Sequence, residues 1–386
     1  MEVSKLSLRF ASRVIVVLAY ILIFFLVLYL WISTPSAKEI KHSFNETKIV
    51  KETWKNKKKV VIYAATKFFN MDITTERFLS KCHSTKGYCR ISEDPKDLDV
   101  ADAILFHNAD FSPEKVPMPR LRNRPHVIWS LESPAHDSFR PLKDVINWTM
   151  TYRLDADIWY PYGHFVRRKS PQQVDYEAIW AAKDQTKIAT WLASNCFSQN
   201  RRFDLIKKLI DKGLPLDNWG RCGKTPPICE GVSNQGSPCV VDLIRPYKFY
   251  MSVENSNCLN YVTEKFYETL RSRMAVPIVL SRKFYRQLGA PDDAFIAIDD
   301  FKSLDELIFH VKKVAADKEL YLKYHKWRET HEVKPEHDDT TGFCELCRRL
   351  QNSDLGSKSY ADLAWWHGYN TCDQSIADRF LGPPTG

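Results

Sequence analysis

The chain predicts an α/β protein of two successive units with parallel sheets, carried behind a single N-terminal transmembrane helix. Three observations predict it. Short apolar runs of strand length alternate with helical stretches from residue 60 onward. The same pattern restarts near residue 180. Val14–Ile32 is a run without a charge; its nineteen residues, at ~1.5 Å rise, span about 28 Å, close to the ~30 Å hydrocarbon core of a bilayer. The 386 residues, 44% apolar, suffice for an anchor and about two domains of ~150 residues.

Lys5, Arg9 and Arg13 precede the apolar run with only Glu2 opposing them. The positive-inside rule therefore puts residues 1–13 in the cytosol and the body in the lumen. Tyr29 and Trp31 suit the membrane interface, and the shortish span suits the thinner early secretory membranes. A cleaved signal peptide is the rival reading. It would need a shorter apolar stretch and a small-residue cleavage site, and Pro35-Ser36-Ala37 is a poor one. Residues 33–58 are polar and aperiodic and read as a stem, with the solvated run Lys55-Asn56-Lys57-Lys58-Lys59 at its end.

Residues 59–180 form the first predicted domain, with strands at Val60–Ala64, Ala103–Phe106 and His126–Leu131. Residues 181–355 form the second. Its strands are Ile188–Ala193, Pro215–Trp219, Tyr247–Val253, Val276–Leu280 and Ala294–Ile298. An amphipathic helix covers Arg202–Lys212. Thr263 can cap a helix whose first turn holds Glu264 and Lys265. Ser303-Leu304-Asp305-Glu306 is a capping box for a helix to about Ala316, and a further helix spans Lys318–Glu329. Residues 356–386 are a C-terminal tail whose Trp365-Trp366-His367 and Cys372 no motif explains.

All ten cysteines follow the anchor, as an oxidising lumen favours. Cys344-Glu345-Leu346-Cys347 is a CxxC without a second CxxC or a His pair, so a structural disulfide outranks zinc or redox use. With Cys82 and Cys89 near the start of the body, two local bridges or two cross-bridges both remain open. Asn45-Glu46-Thr47 and Asn147-Trp148-Thr149 are acceptor sequons for N-glycosylation. No Gly-x-Gly-x-x-Gly, P-loop, Gly-x-Ser-x-Gly or His-Glu-x-x-His is present.

The most informative segment runs from Tyr247 to Ser281: strand, polar turn, helix, strand. A helix N-terminus bearing Lys265 suits a phosphate. Glu254-Asn255-Ser256, then Tyr261-Val262-Thr263-Glu264-Lys265, then a Val276-Pro277 strand resembles the signature of the α1,3/α1,4-fucosyltransferases, glycosyltransferase family 10. Trp129–Pro134 and Asn147–Gly163 resemble two further blocks of that family, so the likeness covers roughly residues 60 to 350. Met274, Asn260 and Ser281-Arg282 depart from the pattern at packing and turn positions. The resemblance implies a GT-B fold, two Rossmann-like domains facing across a cleft that holds the active site. It implies that GDP-fucose is the donor, that Lys265 faces its diphosphate and Glu264 its ribose, and that Asn255 and Tyr261 line the nucleotide site. Arg202 is the second candidate cation, with Arg201 its neighbour in contention, and Trp219 stands where the family commonly has Tyr. Cys82, Cys89, Cys344 and Cys347 correspond to cysteines that are disulfide-bonded in the family.

The chemistry implied is an inverting transfer, which needs a base for the acceptor hydroxyl. Glu132 lies at the C-terminal end of a predicted strand, where α/β proteins bind ligands, and matches the family's base. The expected acceptor is the 3-hydroxyl of N-acetylglucosamine in an N-glycan. Cys258 favours the core residue over an antennal one, by likeness to invertebrate and plant members. A non-catalytic glycan- or GDP-binding relative, or another donor sugar, are the alternative classes. Asp155-Ala156-Asp157 is an Asp-x-Asp, the metal motif of the other major glycosyltransferase fold, but it sits in an acceptor-half block. With Lys and Arg on the diphosphate no metal is obligatory, though Mn²⁺ could stimulate. The net charge of +9 on a lumenal protein speaks for an anionic sugar nucleotide and against nucleic acid. The resulting expectation is a single-pass type II enzyme of the Golgi membrane.

Overall fold

The structure, a computed structural model, describes residues 58–112, 124–229, 235–336, 338–352 and 358–383. The expected cytosolic tail, anchor and stem to residue 57, and the Asn45 sequon, lie outside the described residues. Among the described residues no helix is long and apolar enough to cross a membrane.

Two all-parallel sheets carry the body. The first has strand order β2-β1-β3-β4-β5-β6. Its members are β1 (Val60–Ala64), β2 (Cys89–Ser92), β3 (Ala103–His107), β4 (His126–Ser130), β5 (Trp148–Thr151) and β6 (Ile158–Trp159). Strands β3 and β4 are buried at every residue, as continuous apolar runs require when both faces are covered. Strands β2, β5 and β6 escaped the sequence reading, since CRIS and WTMT lack a plain apolar run. A two-stranded antiparallel ribbon follows: β7 (Gly163–Arg167) pairs with β13 (His331–Pro335), from Gly163 opposite Pro335 to Arg167 opposite His331.

The second sheet has order β12-β11-β10-β8-β9. Its members are β8 (Ala189–Leu192), β9 (Leu216–Trp219), β10 (Phe249–Met251), β11 (Val276–Val279) and β12 (Ile296–Ala297). Each sheet thus repeats the doubly wound order in which the chain reverses direction between its first and third strands. The Arg202–Asp211 helix buries Leu205, Ile206 and Leu209 against this sheet, and Ser303 caps the Leu304–Ala316 helix through Glu306 N. The helix expected over Lys318–Glu329 is broken. It stops at Lys323, and a 3₁₀ turn covers Lys326–Glu329 beyond a fully buried His325. Met274 and Asn260 hold φ of 50° and 60°. At Met274, where the family pattern has glycine, a long side chain occupies the left-handed region that glycine adopts without cost.

The cysteines choose cross-bridges. Cys82–Cys344 and Cys89–Cys347 pin the Gly342–Gln351 helix onto the first sheet. Cys196–Cys222, Cys229–Cys239 and Cys258–Cys372 complete the set.

Residues 358–383 are no loose tail. Tyr360 and Leu363 are buried in the core beneath the first sheet, and Ile376, Phe380 and Leu381 pack against the core of the second. The chain therefore passes between the sheets three times: through β7, back through β13, and out again along residues 367–374.

Candidate functional site

The strand order fixes where a ligand fits. Because β9 lies outside β8 and β11 lies outside β10, the loops leaving the C-terminal ends of β8 and β10 diverge and leave a crevice. The loop after β8 delivers Arg202, only 3% exposed. Its guanidinium donates to Asn195 O at 2.9 Å and Val253 O at 3.0 Å, tying both loops together, and its Nε has no partner among the described residues. Burial lowers its pKa, with Glu254 working the other way. Arg201 turns away, at φ 55°, to pair with Asp378 at 2.8 Å. The geometry thus places Arg202, rather than Arg201, at the crevice.

The loop after β10 supplies Glu254, which the sequence reading took for turn chemistry. Its buried carboxylate accepts from Thr263 N and Thr263 Oγ1, both at 2.8 Å. Thr263 in turn caps the Glu264–Arg271 helix through Lys265 N. Lys265 Nζ then lies 3.4 Å from Glu254, 3.2 Å from Glu264 and 3.0 Å from Thr263 Oγ1. Burial works against its charge, but Glu264 and then Glu254 outweigh it and raise its pKa. Burial would raise Glu264, but Lys265 outweighs it and holds that carboxyl below its ordinary value. Both groups are ionised at neutral pH, on the first turn of a helix whose N–H groups face the same way. Asn255 adds an amide oxygen that is buried without a partner among the described residues, an acceptor left open beside the crevice.

Glu132 reaches this cluster from the first sheet, two residues past β4. Burial raises its pKa, and Lys265 draws it partly back. Tyr261 Oη stands 3.5 Å from its carboxylate, and the Tyr261 ring meets Tyr152 edge-on at 5.1 Å. Tyr261 therefore sits between the two halves of the site. Ser133 Oγ donates to Ser256 Oγ at 2.9 Å, joining the two loops directly. His367 approaches Glu132 O at 3.2 Å through Nε2. Burial holds that imidazole down to about 3, so it is neutral and must carry its proton on Nε2 to make this bond. His367 lay in the tail, too far along the chain for any local motif to tie it to Glu132.

Trp219 is set apart. It ends edge strand β9 and packs on the cluster of Leu192, Ile244 and Tyr250. No hydrogen bond or ring contact joins it to Arg202 or Lys265 among the described residues. The Asp-x-Asp carboxylates are committed elsewhere. Asp155 pairs with Arg153 at 2.6 Å, and Asp157 accepts from Lys358 at 2.6 Å and Tyr360 at 2.7 Å. With every one of those oxygens facing a cation, hydroxyl or amide donor, the pair does not fit a metal. Asn147 is also occupied: its amide donates to Lys358 O and accepts from His126 N, both at 2.8 Å, and Thr149 is fully buried in β5.

Comparison with known proteins identifies the family. The family described as glycosyltransferase family 10 (fucosyltransferase) C-term matches residues 182–366, and the one described as fucosyltransferase, N-terminal, matches residues 56–163. Alpha-(1,3)-fucosyltransferase fut-6 of Caenorhabditis elegans is 54% identical over 84% of this chain and 84% of its own. Glycoprotein 3-alpha-L-fucosyltransferase A of Drosophila melanogaster is 30% identical over 86% of this chain and 64% of its own. A crystal structure of an alpha1,3-fucosyltransferase with GDP-fucose shares the fold at a TM-score of 0.52 and 14% identity, over 79% of this chain and 92% of the other. The chain belongs to glycosyltransferase family 10, the fucosyltransferases.

Proposed function

We propose that this chain is an α1,3-fucosyltransferase of GT-B architecture. It moves L-fucose from GDP-β-L-fucose to the 3-hydroxyl of an N-acetylglucosamine in an N-glycan, the core residue favoured, with inversion at C1. The observation that carries the reading is the meeting of Glu132 with Arg202, Glu264 and Lys265 across Tyr261. A base on one side faces two cations on the other. The acceptor oxygen attacks C1 as the C1–O bond to the β-phosphate breaks, and Glu132 takes the hydroxyl proton. Its burial-raised pKa brings it nearer working pH, where a positioned base contributes about 10²–10⁴-fold. Negative charge grows on the departing GDP, and Lys265 and Arg202 are already in place to meet it. Glu264 is assigned to the ribose, and Asn255 with its open amide oxygen to the nucleotide. With two cations there, the reaction requires no metal, and Mn²⁺ would add to their effect. The names of the worm and fly relatives support the α1,3 linkage and the glycoprotein acceptor. The apolar run Val14–Ile32 supports a type II placement in the Golgi membrane.

The test is transfer from GDP-fucose by the detergent-solubilised full chain to a core N-glycan and to a terminal N-acetyllactosamine, with products mapped by mass spectrometry. Transfer to the core glycan, abolished in Glu132→Gln while GDP still binds, is the expected result. GDP binding without transfer to either acceptor would refute the enzymatic reading.

A further inference from the structure

A second cavity lies at the opposite end of the second sheet from the donor crevice. Arg202 and Glu254 follow strands β8 and β10. Ala182, Arg245 and Met274, which line this cavity, precede β8, β10 and β11. Its volume is about 640 Å³, in the range of small-molecule sites. Arg168, Arg271, Arg328 and His331 also line it, so four guanidiniums face one space.

Their counter-charge is thin. Arg328 has no carboxylate within ion-pair distance among the described residues; it donates to Leu270 O at 2.8 Å and His325 Nδ1 at 3.1 Å. Arg168 has Glu332 at 3.4 Å, and among the described residues Arg245 has only Asp242, at 3.9 Å. Arg271 is the well-paired one, with Glu268. The other lining carboxylate, Asp175, caps the Tyr176–Ala181 helix at Ala178 N, 2.9 Å away. Behind the wall, Lys183 is 4% exposed and among the described residues donates only to Arg245 O and Arg273 O, at 2.7 and 3.1 Å. Burial, and then the charges of Arg328 and Arg245, bring its ammonium down to about 7. Trp327, 3% exposed and part of the lining, has an indole N–H with no acceptor among the described residues. Cations gathered round one space with so few carboxylates favour an anion that supplies the missing negative charge.

We infer that this cavity binds a small oxyanion ligand, a phosphate or sulfate ester, using Arg168, Arg245, Arg271 and Arg328 as charge-assisted donors. Oxygens of such groups accept the forked pairs that guanidiniums offer. The wall includes Arg168 just past β7 and His331–Val333 of β13, so the ligand bears on two of the three passages between the sheets. Binding would brace them together.

The experiment titrates the full chain calorimetrically with inorganic pyrophosphate and, separately, with a sulfated disaccharide, and repeats both with Arg245→Ala/Arg271→Ala. Both side chains are about half exposed and outside the donor crevice, so the variant should fold and bind GDP as before. The expected result is two classes of pyrophosphate site in the wild type, one of which weakens at least about tenfold in the variant. The arm that binds tighter at that class identifies the phosphate or the sulfate source. Arg328→Met, with GDP binding retained, should weaken the same class. A single class of pyrophosphate site unchanged in both variants, with no disaccharide binding, would overturn the inference.

Discussion

The crossed bridges Cys82–Cys344 and Cys89–Cys347 make a quantitative prediction about stability. Each closes a loop of about 260 residues, for which the chain-entropy estimate is ~5–6 kcal/mol. The two loops are nearly the same loop. Once one bridge exists, the other closes only about ten further residues, worth ~3 kcal/mol. Cys258–Cys372 offers a shortcut through the chain, but the loop it leaves is still about 200 residues, which changes the estimate by only ~0.2 kcal/mol. Cys82→Ser/Cys344→Ser and Cys89→Ser/Cys347→Ser should therefore each cost ~3 kcal/mol. The quadruple variant should cost ~8, a coupling of ~2 kcal/mol beyond the sum. That total approaches the stability of many domains, so it is best read from urea midpoints of all three variants under one set of conditions. Costs that add to within ~0.5 kcal/mol would refute the reasoning, because independent local loops, not a shared long one, behave that way.

Three further outcomes follow from the site and its surroundings. Burial, then the charge of Glu264, pushes Glu336 up to about 7, whereas the unfolded chain releases that proton near ~4.3. Between those values the folded state holds the extra proton, so this group's contribution to stability falls as pH rises from about 4.3 to 7. Glu336→Gln should flatten that slope and raise the melting temperature at pH 7.5; an unchanged slope would count against it. Arg202→Lys keeps a charge but cannot span Asn195 O and Val253 O, and kcat/KM for GDP-fucose should drop ~10²-fold or more, measured by initial rates. Asn147 should be unmodified when the protein, expressed through a secretory pathway, is mapped by glycopeptide mass spectrometry, since its Nδ2, the attachment atom, is held by Lys358 O and Thr149 of the sequon is fully buried.

The grouping of Thr263, Glu264 and Lys265 in the candidate site was legible because these parts are close in sequence. Thr263, Glu264 and Lys265 fall on one capped turn, and a single block carries strand, loop and helix together. Glu132 was legible for a similar reason, a carboxylate placed at a strand end before a proline. Glu254 was harder. A glutamate in a run of Asn and Ser reads as a turn, and only the folded chain brings Thr263 back onto it. His367 was out of reach, since its partner is a backbone carbonyl on the far side of the sequence and carries no side-chain signal. The cysteine connectivity stayed open for the same reason: spacing alone does not say which pairs meet. Strand β5 was hidden because Thr149 is buried where Asp157 and Tyr360, both outside the strand, satisfy its hydroxyl.

Tyr360, Leu363 and Trp366 complete the core beneath the first sheet, and that has a consequence for biosynthesis. Tyr360 and Leu363 belong to a core whose other buried members are made by residue 146, and Cys82 waits for a partner 262 residues downstream. At ~5–20 residues per second a ribosome needs roughly 15–50 s to supply it. From the synthesis of β6 to the end of that interval the first sheet stands without the Gly342–Gln351 helix that covers it, and its thiols are exposed to every other cysteine of the nascent chain. Production of this protein should thus depend on the oxidoreductases and holding chaperones present during translation, more than on the stability of the finished fold.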